Sequence, residues 1–228
     1  MPSPISIHCN QQDVALLFSG CFAFPESNAN AHVLMSPLRN EEIADFTIDM
    51  RLKFAKITSD PYYVSVYSTR DNEFVIGDKA VIIAQKAYSL PSVKSNVKLG
   101  TYHRLTISRK GNQLLMYWDG KLKAERKVTT FKIPKGASWI IGQEQDTRGG
   151  GFVRAQRLIG NICDFRMWNV GLTKEEAPDF FRNFLTFGTT YYSYSPSLFD
   201  SPSSYKFVLN TASYFHVDVL KTTIDGMN

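Results

Sequence analysis

The chain has 228 residues, 43% of them apolar and 13% aromatic, with 26 Lys and Arg against 21 Asp and Glu, a formal charge of +5. This apolar content is enough for a packed core and excludes a disordered chain. The longest apolar runs, such as VALLF at 14–18 and VIIA at 81–84, fall far short of the roughly 20 residues a membrane helix needs. The charge excess is mild and unclustered, which argues against nucleic acid as a partner.

In chain order, MPSPISIHCNQQDVALLF lacks the basic region and small-residue cleavage site of a secretion signal. Residues 1–20 are read as an N-terminal extension or first strand, and 21–228 as a single domain. Strict alternation follows in FTIDMRLKF, which puts Phe46, Ile48, Met50, Leu52 and Phe54 on one face, and again in YYVSVYS, where Tyr63, Ser65 and Tyr67 oppose Val64 and Val66. HRLTIS, QLLMYW, SWIIG and the run 158–168 extend the pattern. Lys110-Gly111-Asn112 and Asp119-Gly120 punctuate it as turns.

Thr173 with Glu176 three residues on predicts a helix start with a reciprocal capping box. Pro178 predicts that this helix is short or broken before Phe180 and Phe181. Residues 191–204, rich in Ser, Pro and Tyr, read as a surface loop, and Phe215, Val217 and Val219 as a terminal strand returning to the sheets. Many short strands with one helix fit an all-β, two-sheet antiparallel sandwich better than a closed barrel.

The three cysteines, Cys9, Cys21 and Cys163, are widely spaced and contain no metal-type pair, so neither a disulfide framework nor a zinc site is expected. Cys163 alternates with Phe165 and Met167 and reads as a small buried apolar group. Trp118 and Trp168 read as packing residues. His8, His32, His103 and His216 are scattered surface or strand residues without a nucleophile nearby. With no Asn-x-Ser/Thr sequon, these features lean towards an intracellular, reducing compartment, or an extracellular one if the N-terminus is trimmed.

Residues 143–151 read QEQDTRGGG, two carboxylates on the lip of a glycine loop. Such a pair can be a metal cradle, half of an acid/base pair, or a solvated turn. Glycan hydrolases of similar architecture pair a nucleophile with a general acid, but Thr147, Arg148 and the glycines follow instead of a further acid, so hydrolysis is the remote reading. No catalytic residue is assigned.

The block SWIIGQEQDTRGGGFVRAQRLIGNICDFRMWN, with CFAFPESNANAHV, STRDNEFVI and YWDGK upstream, resembles the pentraxin family. The resemblance implies a jelly-roll sandwich related to concanavalin A-like and laminin G-like domains, one short helix after the Met-Trp strand, and lectin-like, calcium-dependent ligand capture on one face. It implies metal ligands at Asp71, Asn72, Glu144, the backbone carbonyl of Gln145, and Asp146, a set of oxygen donors that suits one Ca2+. A second Ca2+ would share Glu144 and Asp146, add Gln156, and need an acid where Val153 stands, so it is disfavoured. Arg148, Arg154 and Arg157 are candidate ligand or partner contacts.

The family's disulfide would require cysteines where this chain has Asp49 and Leu105, and its phosphocholine-type aromatic pocket falls at Gly77. The leading expectation is a non-enzymatic module that binds a protein, carbohydrate or anionic ligand, as a homo-oligomer or part of a larger assembly. The alternative is a calcium-independent docking subunit of an assembly, intracellular if the compartment reading holds.

Overall fold

Alternation of large apolar side chains along 46–56 creates a strand with one face that must leave water, and two such sheets stacked face to face are the result. The computed structural model describes residues 15–17, 19–35, 42–92, 94, 97–168, 170–186, 207–210 and 213–218. Its strands are β1 (Ala15–Leu17), β2 (Ser19–Phe24), β3 (His32–Met35), β4 (Phe46–Lys56), β5 (Tyr62–Tyr67), β6 (Phe74–Gly77), β7 (Ala80–Ile83), β8 (Lys86–Ser89), β9 (Tyr102–Lys110), β10 (Gln113–Trp118), β11 (Lys121–Lys127), β12 (Ser138–Ile141), β13 (Ile159–Trp168), β14 (Phe207–Asn210) and β15 (Ser213–Asp218), with helix α1 at Ala177–Thr186. One sheet runs β11-β10-β9-β4-β13-β2-β15, with β1 also on β13; the other runs β14-β3-β12-β5-β6-β7-β8. Every pairing is antiparallel. The fold is therefore the expected two-sheet antiparallel jelly roll with one helix after the Met-Trp strand. The loop at 191–204 lies outside the described residues.

The core forms between the sheets. Phe46, Ile48, Met50, Leu52 and Phe54 of β4 are buried against Tyr63, Val64 and Val66 of β5, Phe74 of β6 and Trp139 of β12. Edge-on aromatic pairs cross the gap, Phe46 with Phe74 at 5.0 Å and Phe54 with Tyr63 at 6.0 Å between ring centroids, an arrangement that adds attraction to the burial itself. The Asp119-Gly120 hairpin forms with both residues at positive φ, 50° and 73°. Trp118 packs in the core, whereas Trp168 lies edge-on against Phe180 of α1, 5.3 Å away.

The helix departs from expectation. Its capping box forms as foreseen, Thr173 N–H donating to Glu176 Oε2 at 2.8 Å and Glu176 N–H to Thr173 Oγ1 at 3.3 Å. Pro178 does not break it: it sits at the start of α1, where a missing N–H costs little. Phe181 and Ala177 then cover Leu115 and Tyr117 on the outer face of the first sheet.

The cysteine expectation is overturned. Cys21 and Cys163 form a disulfide between β2 and β13, 142 residues apart in sequence and directly opposite in register. The simple alternation read for Cys163 fails because of a bulge: register slips between Cys163 and Arg166, and Asp164 adopts φ 49°. The extra residue keeps Phe165 and Met167 in the core while turning Cys163 to the outer face, where Tyr102 O–H lies 3.4 Å from its sulfur. A covalent link between strands runs against the reducing-compartment expectation.

At the positions where the resemblance would place its disulfide, β4 and β9 are joined differently. Asp49 Oδ1 accepts from Arg104 Nε at 2.7 Å and from Thr106 Oγ1 at 2.6 Å, with the Asp49 side chain 2% exposed, while Leu105 packs in the core. Breaking a buried ion pair strands the remaining charge. Asp49→Ala is expected to lower unfolding free energy by about 3 kcal/mol or more in a denaturant titration. A loss under about 0.5 kcal/mol, typical of exposed pairs, would show that this ion pair does not hold β4 to β9.

Candidate functional site

The segment after β12 is built around one buried acid. Directly after β12 comes Gly142, with φ +89°, where an added Cβ would stand 2.2 Å from the Phe24 ring, so only glycine lets the chain leave the strand here. The chain then folds back over its own sheet, and two fully buried glutamines pin it. Gln143 Nε2 donates to the carbonyls of Ala29 and Ala31, at 2.7 and 3.3 Å, in the β2–β3 corner. Gln145 Nε2 donates to the carbonyls of Ser65 and Ser138, both at 3.1 Å, and its Oε1 accepts from Gly149 N–H at 3.0 Å. With its side chain so engaged, Gln145 has only its backbone carbonyl left for a ligand.

Glu144 sits between these two anchors, 2% exposed, with no well-aligned hydrogen bond to either carboxylate oxygen, although the Asp146 side chain and the Gln145 backbone N–H lie within its reach. Burial pushes its pKa from 4.5 up to about 7, helped by the charges of Asp146 and then Asp71. Asp146 is exposed beyond it, and the loop closes through Gly151, whose φ of +72° and near contact with Asp146 Cβ, 2.8 Å from an added Cβ, exclude a side chain.

Asp71 and Asn72 lie in the turn between β5 and β6, with Asn72 at φ 52°. Asp71 Oδ2 accepts from Asn72 Nδ2 at 3.1 Å and Oδ1 from Gln85 Nε2 at 3.2 Å. The β5–β12 pairing carries this turn towards the Glu144 loop, close enough for the Asp71 charge to act on Glu144. Among the described residues no three His, Cys, Asp or Glu side chains make a metal-holding group by themselves. The expected donor set leans on the Asn72 amide and the Gln145 carbonyl as well. Its chemistry still fits a hard cation, because the two Glu144 oxygens are buried without a well-aligned donor and face the charges of Asp146 and Asp71.

The remaining expected residues divide. Gln156 is half-buried in a 3-10 turn, Arg154–Gln156, with its Oε1 unpartnered, while Val153 beside it is 42% exposed and offers only hydrocarbon. Arg148 and Arg154 are exposed, Arg148 Nη2 donating to the Gly136 carbonyl at 2.6 Å. Arg157 does not join them at the surface: it is 3% exposed. At Gly77 the Tyr62 ring fills the space a side chain would take, 2.6 Å from an added Cβ. His32 lies tilted against Phe152, ring centroids 4.5 Å apart, and His103 Nδ1 is 2.9 Å from Asp119. The two glutamine anchors and the burial of Arg157 escaped the sequence, since both follow from chain reversal over the sheet.

A proton held more tightly by folded Glu144 than by the unfolded chain favours the folded state. That contribution is full below pH 4.5 and is lost as pH rises through about 7. In chelator, the stability of Glu144→Gln relative to the unsubstituted chain should therefore rise between those pH values, read from paired melting curves. A difference flat with pH would mean that Glu144 is not buried as a lone acid.

The chain matches the Pentaxin family over residues 20–189. It is 28% identical to serum amyloid P-component of Mus musculus over 164 residues, 68% of this chain and 71% of that protein. It is 24% identical to C-reactive protein of Homo sapiens over 171 residues, 68% of this chain and 72% of that one. In structure it resembles the heptameric SAP-like pentraxin of Limulus polyphemus, with TM-score 0.58, 21% identity, and 70% and 80% of the two chains covered. Buried Glu144, its glutamine anchors and strands β3 to β13 fall within the matched span, and the chain belongs to the pentraxin family.

Proposed function

We propose that this chain is a non-enzymatic recognition module whose ligand-binding face is the Glu144 loop, organised by one Ca2+. Family membership supports the recognition role. The single observation that carries the calcium reading is Glu144, a buried carboxylate with no well-aligned hydrogen bond to either oxygen and two further acids acting on it. A dication there replaces the missing hydrogen bonds and turns mutual repulsion among Asp71, Glu144 and Asp146 into attraction. Asp71, Asn72, Glu144, the Gln145 carbonyl and Asp146 would hold it, and the bound ion would leave coordination positions open to an oxygen of the ligand.

Val153 limits the site to one ion. Its hydrocarbon side chain stands where a second site would need a carboxylate, and exposed Arg154 next to it adds a repelling charge. The ligand is thus a protein, carbohydrate or anionic group that engages one metal rather than bridging two. Ring assembly, as in the heptameric Limulus relative, extends the same proposal and is read from native mass with and without calcium.

Calorimetric titration with Ca2+ is expected to give one ion per chain, weakened about tenfold or more by Glu144→Gln and by Asp71→Asn. Absence of heat at millimolar calcium would overturn this reading in favour of calcium-independent docking. Val153→Glu supplies the absent carboxylate and should raise the stoichiometry from one to two. A stoichiometry still at one would show that Val153 is not what excludes the second ion.

A further inference from the structure

Arg157 is the buried group that the Glu144 site does not use. Its guanidinium carries five N–H donors and keeps its charge at any physiological pH. Only Nη2 has a partner, the Glu26 carbonyl at 3.0 Å; Nε and Nη1 are buried with none. The backbone cannot withdraw the side chain, because Thr58 Oγ1 donates to the Arg157 carbonyl at 2.8 Å and Asp60 N–H to that of Ala155 at 3.2 Å. A cation held this far from water calls for an anion.

The acid at hand attracts it but makes no hydrogen bond to it. The Glu26 carboxylate is paired with Lys56 instead, and that pair is open to solvent, with side chains 54% and 60% exposed. Lys56, then Arg157 and then Arg154 all act to favour charge on Glu26. Three cations thus converge on one exposed carboxylate, leaving the corner positive, and an exposed ion pair is a weak competitor for the place.

We propose that this corner, where the β2–β3 turn meets the end of β4 and the 3-10 turn at Arg154–Gln156, is an oxyanion site. A phosphate or carboxylate displaces the Glu26 side chain and bonds to the free donors of Arg157, with Arg154 and Lys56 adding charge at the rim. The same loop carries Glu144 and Arg154, so the anion lies on the flank of the face assigned to the ligand. The inference rests on that recognition reading for its biological use, naming an anionic ligand group held directly by protein. Its chemistry stands without the metal.

The test is a titration of inorganic phosphate, with acetate as the carboxylate arm, into the full chain in chelator, following the side-chain Nε–H resonance of Arg157. Saturable displacement of that resonance is expected, by phosphate if the ligand is phosphorylated and by acetate if it is a carboxylate. Arg157→Lys, which keeps the charge but not the donors, should weaken binding about tenfold or more. Glu26→Gln, at an exposed position, should tighten it by removing the competitor. An Arg157 resonance indifferent to both anions, or binding unchanged in Glu26→Gln, would overturn the proposal and leave Arg157 a structural residue satisfied by water. Because no calcium is present, a failed calcium titration and a failed phosphate titration are read separately.

Discussion

The organising constraint of this molecule is a carboxylate held out of water beside two other acids, with no well-aligned hydrogen bond to either of its oxygens. Glu144 is kept there by Gln143 and Gln145, whose amides are tied to the β2–β3 corner, to β5 and to β12. Those anchors fix the main chain on either side, so Glu144 cannot rotate out to solvent without breaking buried hydrogen bonds. Left alone, the acid resists ionisation and weakens the fold above its own pKa. A cation removes both penalties at once, which is why the same residues that look unfavourable for stability are well arranged for binding.

The scaffold beneath is stiff where the site needs it. β12, from which the loop departs, lies inside the second sheet between β3 and β5, with Trp139, Ile140 and Ile141 all buried. The β2–β3 corner that receives Gln143 is attached to β2, itself tied by the Cys21–Cys163 bond to β13. On the other side of the same sheet, Asp49 and Arg104 join β4 to β9 through a buried ion pair. The two links make different demands: the ion pair depends on excluding water, the disulfide on an oxidising environment.

Arg157 shows a similar economy of placement. Only two residues separate it from Arg154, yet one is buried and the other is exposed, because the 3-10 turn at Arg154–Gln156 drives the chain from the loop rim into the sheet edge. The buried acid Glu144 and the buried guanidinium thus belong to one continuous segment, pinned at both ends to the β2–β3 corner. A ligand contacting this face meets negative and positive chemistry side by side.

Much of this was legible in local pattern. Alternation along 46–54 named the core face of β4, Asp119-Gly120 the β10–β11 hairpin, and Thr173 with Glu176 the helix start, since each depends on residues within one or two turns of chain. The ordered motif from Ser138 to Asn169 carried the family. What escaped depended on register and on chain reversal: a bulge at Asp164 turned Cys163 away from the face its spacing suggested, and β2 came to lie beside β13, so two cysteines 142 residues apart were joined. In the same way, only the tertiary structure could make Glu144 and Arg157 buried charges, because burial of a polar side chain is decided by what folds over it. The residue types and their order settle which chemistry is present; long-range strand pairing decides which groups lose water, and with that which of them need a partner.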